Sequence, residues 1–152
     1  MPQPIAAPDL TQRPPRSARC RLGGYVLLPR MLDKGRAEII GKQGEYKYDC
    51  PLDQHILGFL GIDGAALKTE LAAGKGDGEI LEWISANAKN KRTPWEIEQW
   101  SAYHEKRGPD SDAETLNFFV GLVGKLSQTR EDLKTWMDAL DADDFATFGG
   151  KL

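Results

Sequence analysis

Apolar residues recur at helical spacing in several segments of this chain, and this feature limits the folds that are open to it. From Leu28 the apolar positions are i, i+3, i+4, i+7 and i+11, so they share one face of a helix. Those positions hold Leu28, Met31, Leu32, Gly35 and Ile39. Similar spacing returns near residues 116–123 and 133–140, whereas no segment shows a convincing strand pattern. The sequence therefore predicts an all-α fold, an irregular bundle of about six to seven short helices.

Turn and capping residues predict where individual helices begin. The TPWE segment, residues 93–96, combines a capping box with proline at the first helical position, which is typical of a helix start. Thr129 and Asp132 predict the start of the last helix. Residues 38–48 form either one minor hairpin or a folded-back loop. The loop is favoured, because a two-stranded hairpin is only marginally stable alone.

The chain divides into three segments. Its 152 residues fit one domain with one hydrophobic core. Residues 1–24 contain prolines, arginines and a Gly-Gly pair without helical or strand periodicity, which predicts an extended basic N-terminal arm. Residues 25–145 are expected to form a single helical domain, and residues 146–152 a frayed tail.

Composition indicates a cytoplasmic protein that needs neither a disulfide nor a metal for its stability. No apolar run approaches the roughly 18 residues that a membrane span requires. The N-terminus has neither the basic start nor the apolar stretch of a signal peptide. Cys20 and Cys50 are therefore expected to be free thiols. His55 and His104 lack a second ligand at metal-binding spacing, so no metal or cofactor is predicted.

Charge is distributed unevenly along the chain. Residues 11–47 carry nine Lys or Arg and three acids, whereas residues 93–152 carry twelve acids and six Lys or Arg. A basic segment either binds an external anion or pairs with the acidic segment of the same chain, and internal pairing or plain solvation is favoured. Nucleic-acid binding is disfavoured, because stacking on bases needs exposed aromatic residues and tryptophans at helical spacing are usually core residues.

The first helix carries a charged face opposite its apolar face. Arg30, Asp33 and Lys34 lie on that face, and Arg36 flanks it. Asp33 lies three residues from both arginines, so its carboxylate is placed to orient either guanidinium towards a phosphate or a carboxylate. The alternative, which is favoured, is a solvated helix face with weak ion pairs.

A candidate ligand-binding site lies where the arm, the first helix and the 46–53 segment meet. The candidate residues are Arg30, Asp33, Lys34, Arg36, Tyr46, Tyr48 and Asp53. The leading hypothesis is a small non-enzymatic domain that binds an anionic small molecule or an acidic partner. One alternative is a small cofactor-independent enzyme that uses Asp33, Asp49 or Asp53 beside Tyr46 and an arginine. Another is a structural subunit that self-associates through oppositely charged faces.

Three segments carry a resemblance to a known family. The segments RLGGYVLLPRMLDKGRA, GEYKYDCPLD and GDGEILEWI resemble a bacterial family known only as a domain of unknown function, number 5069. The likeness runs from about Pro8 to Trp100 and is most specific from Leu28 to Asp53. The resemblance implies a small soluble helical protein, and it assigns no activity, cofactor or catalytic residue.

Overall fold

The computed structural model describes residues 5–109 and 112–152, which form seven helices and one short hairpin. The hairpin pairs β1 (Arg21–Leu22) with β2 (Tyr25–Val26). The helices are α1 (Leu28–Ile39), α2 (Pro51–Leu60), α3 (Gly64–Ala72), α4 (Asp77–Asn87), α5 (Pro94–Lys106), α6 (Ala113–Leu126) and α7 (Trp136–Thr147). The prediction of a helical bundle is therefore confirmed. In the described residues, no helix is both long and apolar enough to cross a membrane.

Helix α1 is the central element of the fold. Its apolar stripe packs into a core with residues of α2, α3 and α4, and Leu28, Met31 and Leu32 are fully buried there. Gly35 lies on the same stripe, where a Cβ atom would come within 2.7 Å of Leu71 of α3. A glycine is unfavourable inside a helix, but here it permits the close approach of α3 to α1.

The hairpin lies in a different place from the one that the sequence predicts. Residues 41–50 form an irregular loop, which is the alternative that the sequence favours. The two strands instead flank Gly23 and Gly24, so that β1 lies in the predicted arm and β2 lies where the first helix is predicted to begin. Both glycines have positive φ, +59° and +84°. This conformation is what a two-residue hairpin turn with the correct twist requires, and glycine adopts it without strain. Ser101 of α5 fixes the hairpin, because its Oγ donates to the Gly24 carbonyl at 2.8 Å.

The N-terminal arm lies across the helices from residue 5 onwards. Leu10 and Ala18 are buried, and two backbone bonds hold the arm in place. The Leu10 N–H donates to the Lys42 carbonyl at 2.9 Å, and the Leu27 N–H donates to the Ala18 carbonyl at 3.0 Å. The arm is therefore joined to the chain both just before α1 and just after it.

The last helix begins later than predicted, at Trp136 instead of near Thr129. Asp132 does not cap a helix, because its carboxylate accepts from the guanidinium of Arg130. The cap is Thr135, whose hydroxyl accepts from the Asp138 N–H at 3.1 Å, while the Asp138 carboxylate accepts from the Thr135 N–H at 2.9 Å. The predicted capping box at Thr93 and Glu96 is confirmed as the start of α5.

Candidate functional site

The charged face of α1 is buried. Arg30, Asp33, Lys34 and Arg36 expose between 4% and 9% of their surface, so the favoured interpretation of a solvated helix face is wrong. Each of the four side chains forms an ion pair with a residue outside α1. Because burying a charge without a partner is very costly, these pairs are a requirement of the fold.

Arg30 pairs with the last helix. Its Nη1 and Nη2 donate to the two carboxylate oxygens of Asp144 in α7, at 2.7 and 3.1 Å. The Tyr46 hydroxyl donates to the same carboxylate at 2.8 Å, and the guanidinium lies 5.5 Å from the centre of the Tyr46 ring. Burial raises the pKa of Tyr46, and the Asp144 carboxylate adds to that shift. Tyr46 therefore stays protonated and acts as a donor.

Lys34 pairs with α2. Its Nζ lies 2.9 Å from Oδ1 of Asp53, and it donates to Sγ of Cys50 at 3.3 Å. Asp53 exposes only 1% of its surface, and its second oxygen accepts from the Asp49 N–H at 2.9 Å. Burial raises the pKa of Asp53, whereas the Lys34 ammonium and the backbone donors act in the opposite direction. The pair joins α1 to the N-terminus of α2.

Asp33 does not orient Arg30 or Arg36, which corrects the prediction from their spacing. The Asp33 carboxylate instead accepts from Arg16 of the arm, through its backbone N–H at 2.9 Å, its Nε at 3.1 Å and its Nη2 at 3.0 Å. Arg36 pairs with Asp77 of α4 at 2.8 Å, and Arg16 reaches the same carboxylate, also at 2.8 Å. Spacing along α1 could not show this, because both partners come from other segments.

Only three of the seven predicted site residues share one concavity. A groove of about 870 Å³ lies between α1, the 41–50 loop, the arm and α7, and Arg30, Lys34 and Tyr46 line it. Cys50 and Asp143 are further polar residues of its lining, and Leu52, Leu140 and Phe148 supply apolar surface. We call this concavity the α1–α7 groove.

The other four predicted residues lie elsewhere. Asp33 and Arg36 line two different, smaller depressions on the arm side of the molecule. Tyr48 packs against α1 at Gly35, and its hydroxyl donates to the Gly64 carbonyl at 2.7 Å. Asp53 is buried with Lys34 and does not line the groove.

Sequence reasoning missed the residues that α7 contributes. Asp143 and Asp144 lie in a segment where the sequence shows only an excess of acids. The one signal that could have located them is the uneven charge of the chain, because it indicates that acids of residues 93–152 pair with bases of residues 11–47. Basic residues of the arm and hairpin also pair with the acidic half of the chain, since Arg19 lies 3.0 Å from Asp141 and Arg21 lies 2.8 Å from Glu105.

The two histidines form a pair on the far side of α2. The centres of the His55 and His104 rings lie 5.0 Å apart, and the centres of the Trp100 and His104 rings lie 4.4 Å apart. Burial, together with the nearby charges of His55 and Arg107, lowers the pKa of His104 from 6.5 to about 4. No group of three or more potential metal ligands occurs within residues 5–109 and 112–152.

The His104 shift predicts a loss of stability in mild acid. A histidine with a lowered pKa in the folded state favours folding above pH 6.5, and this contribution is lost as the pH falls towards 4. Between pH 7 and 5 we expect a loss of about 1–2 kcal/mol in the free energy of unfolding, measured by urea denaturation. His104→Phe, which keeps an aromatic ring beside Trp100, should remove most of this loss. If His104→Phe kept the full pH dependence, other groups would be responsible for it.

Comparison with known proteins identifies the family of the chain. A family model described as "Domain of unknown function (DUF5069)" matches residues 12–146. The match includes α1, the 41–50 loop and most of α7, and it extends well beyond the segments that carry the resemblance in the sequence. No curated protein matches the chain significantly. Because the family model covers most of the sequence, the chain belongs to the DUF5069 family.

Proposed function

We propose that the protein is a small non-enzymatic binding domain that holds a small molecule in the α1–α7 groove. The observation that carries the proposal is a buried ammonium group, that of Lys34, on the wall of a groove of about 870 Å³. Pockets of about 300–1,000 Å³ with apolar walls and a few convergent polar groups are typical of small-molecule sites. Here Leu52, Leu140 and Phe148 supply the apolar surface, and Lys34 and Tyr46 supply polar groups.

The hydrogen bonds indicate which polar group a ligand would present. The Arg30 guanidinium uses both terminal nitrogens on Asp144, so it is poorly placed to bind a second carboxylate in the same way. The Lys34 ammonium has three donor protons, and in the described part of the chain it has two acceptors, Asp53 and Cys50. Its third proton is available for an oxygen of the ligand.

The charges around the groove limit the charge of the ligand. Glu45 and Asp143 line the groove together with Lys34 and Lys47, and the buried carboxylates neutralise the two α1 cations. A polyanion would meet repulsion from the two acids at the rim. The proposed ligand is therefore a small molecule with an apolar body and one acceptor group, a single carboxylate at most.

A titration with simple probes tests this proposal. We expect hexanoate to shift the amide resonances of residues around the groove in ¹H–¹⁵N spectra, and inorganic phosphate to shift them much less. Thr147 is exposed and lines the groove, so Thr147→Trp should fold normally and block the site. Thr129 is also exposed but does not line the groove, and Thr129→Trp is the matched control. Shifts that persist in Thr147→Trp, or that occur only elsewhere, would refute the site.

A second candidate function, a small enzyme, is favoured by one observation. Asp143 is exposed, but partial burial of its carboxyl group raises its pKa, and the charge of Asp144 adds to the shift. A carboxyl group with a raised pKa in a groove beside Tyr46 is suited to general acid or base catalysis. Asp143 replaces the carboxylates predicted for this role, because Asp33, Asp49 and Asp53 do not line the groove. If a ligand that binds in the groove is converted to a product by the protein, and Asp143→Asn abolishes the conversion, the enzyme hypothesis is supported.

The proposal includes a cytoplasmic location in a bacterial cell. The bacterial origin is proposed from the resemblance, and the free thiols of Cys20 and Cys50 support the cytoplasm. Self-association through oppositely charged faces is a weaker alternative. The basic residues that it needs, such as Arg16, Arg19 and Arg21, are engaged with acids of the same chain.

A further inference from the structure

Helix α6 is apolar on almost every side but is covered on only one. In its sequence, AETLNFFVGLVGKL, Phe119 is the one buried residue among the described residues. Phe118 exposes 66% of its surface, Val120 60% and Leu116 46%. A helix that is apolar all round is normally covered by other elements, and among the helices α6 packs chiefly on α7.

The open side of α6 carries a regular stripe. Phe119 marks the covered side, which faces α7. On a solvent-facing side of the helix, at least a quarter turn round from Phe119, Glu114, Phe118, Gly121 and Lys125 follow one another at i, i+4, i+7 and i+11, so that they form one line along the helix. The Phe118 ring lies at the border of the covered side, since its centre is 6.3 Å from that of the Trp136 ring of α7. We call this line the α6 stripe. It begins with an acid, ends with a base, and holds a large and a very small residue between them.

Gly121 is not explained by the fold of the chain itself. A Cβ atom added there would have no neighbour within 4 Å in the described structure, and its φ is not in the positive range. Glycine inside a helix is unfavourable. A close approach from outside the chain would explain its presence, because the missing side chain leaves a hole on the stripe.

We propose that the α6 stripe binds the α6 stripe of a second copy of this chain in an antiparallel pair. We place the two-fold axis between residues 119 and 120. A residue of one copy then faces the residue of the second copy that lies equally far along the helix on the other side of the axis. Phe118 then enters the hole at Gly121 of the second copy, and Glu114 faces Lys125 of the second copy. The contact is isologous, so each pair forms twice, and the charge complementarity selects a second copy as the occupant.

This interface is independent of the α1–α7 groove, which α6 does not line. It also differs from self-association through the basic arm, because the residues of the α6 stripe other than its two ends are uncharged. A contact between single helices buries a modest area, so we expect a dimer that dissociates on dilution.

Sedimentation velocity over a wide range of protein concentration tests the proposal. The full chain should show a reversible monomer–dimer equilibrium. Phe118→Glu should raise the dissociation constant by more than about tenfold, because it places a carboxylate where the ring enters the hole. The control is Trp95→Glu in α5, which replaces an aromatic residue that is 71% exposed and lies outside the stripe. It should leave the dimer unchanged.

A charge exchange tests the antiparallel register. Glu114→Lys alone should weaken the dimer, because two lysines then face each other at each end of the interface. Glu114→Lys combined with Lys125→Glu should restore it, since the opposite charges face each other again. Circular dichroism checks that each variant is folded. A chain that stays monomeric throughout, a dimer that survives Phe118→Glu, or an exchange that fails to restore association would each overturn the proposal.

Discussion

Replacing Asp53 by leucine is expected to lower the free energy of unfolding by about 3–5 kcal/mol, the cost of leaving a buried charge without its partner. Lys34 exposes 4% of its surface and has Asp53 as its only carboxylate partner in the described residues. In the variant the ammonium must stay charged in an apolar environment, lose its proton, or open the contact between α1 and α2. Urea denaturation at pH 7 measures the loss.

Two controls separate the lost partner from a general packing defect. Lys34→Met combined with Asp53→Leu removes both charges and should regain most of the lost stability, because a hydrophobic pair of similar volume often replaces a buried ion pair without loss. Glu98→Gln removes an exposed partner of Arg21 and should cost less than about 1 kcal/mol. If the double variant were as unstable as Asp53→Leu alone, the buried Lys34 charge would not be the cause.

Replacing Asp144 by leucine is expected to release α7 from the rest of the molecule. Asp144 accepts from both terminal nitrogens of Arg30 and from the Tyr46 hydroxyl, so its loss leaves a buried guanidinium and a hydroxyl without their acceptor. The expected cost is again about 3–5 kcal/mol. Hydrogen exchange should show the strongest loss of protection in α7, whereas α2, α3 and α4 share a separate core and should remain protected.

Substitutions at two neighbouring residues should be much less destabilising than Asp144→Leu. Tyr46→Phe removes one hydrogen bond and should cost about 0.5–1.5 kcal/mol. Asp143→Asn changes the adjacent, exposed carboxylate and should stay within about 0.5 kcal/mol of the parent protein. If Asp144→Leu left the protection of α7 unchanged, Arg30 would not be what holds that helix to α1.

Local sequence patterns were sufficient to predict the helices. The apolar stripe of α1 and the capping box of α5 each depend on residues only a few positions apart. Such features can therefore be recognised in the sequence. The prediction for α7 was wrong about its start because Asp132 has a nearer partner in Arg130. The hairpin was missed because each of its strands has only two residues, which is too short for an alternating pattern to appear.

The candidate site was only partly predictable. The sequence predicts Arg30, Lys34 and Tyr46 as site residues, and these three line one groove. Its prediction that Asp33 orients the arginines of α1 is wrong, because Asp33 pairs with Arg16. A hydrophobic period separates a helix into an apolar and a charged side, but it does not show whether the charged side faces water. In this fold the arm, α2, α4 and α7 supply the partners of the charged side of α1.

The helical class, the apolar face of α1 and the opposite net charges of the two halves of the chain follow from the sequence alone. Which acid pairs with which base depends on how the helices pack. Arg30 and Asp144 are 114 positions apart, and Arg16 and Asp77 are 61 positions apart. The sequence does not specify these pairs, because all the acids and bases attract one another in much the same way in the unfolded chain. Burial of α1 selects the few pairs whose geometry satisfies its charged groups without water.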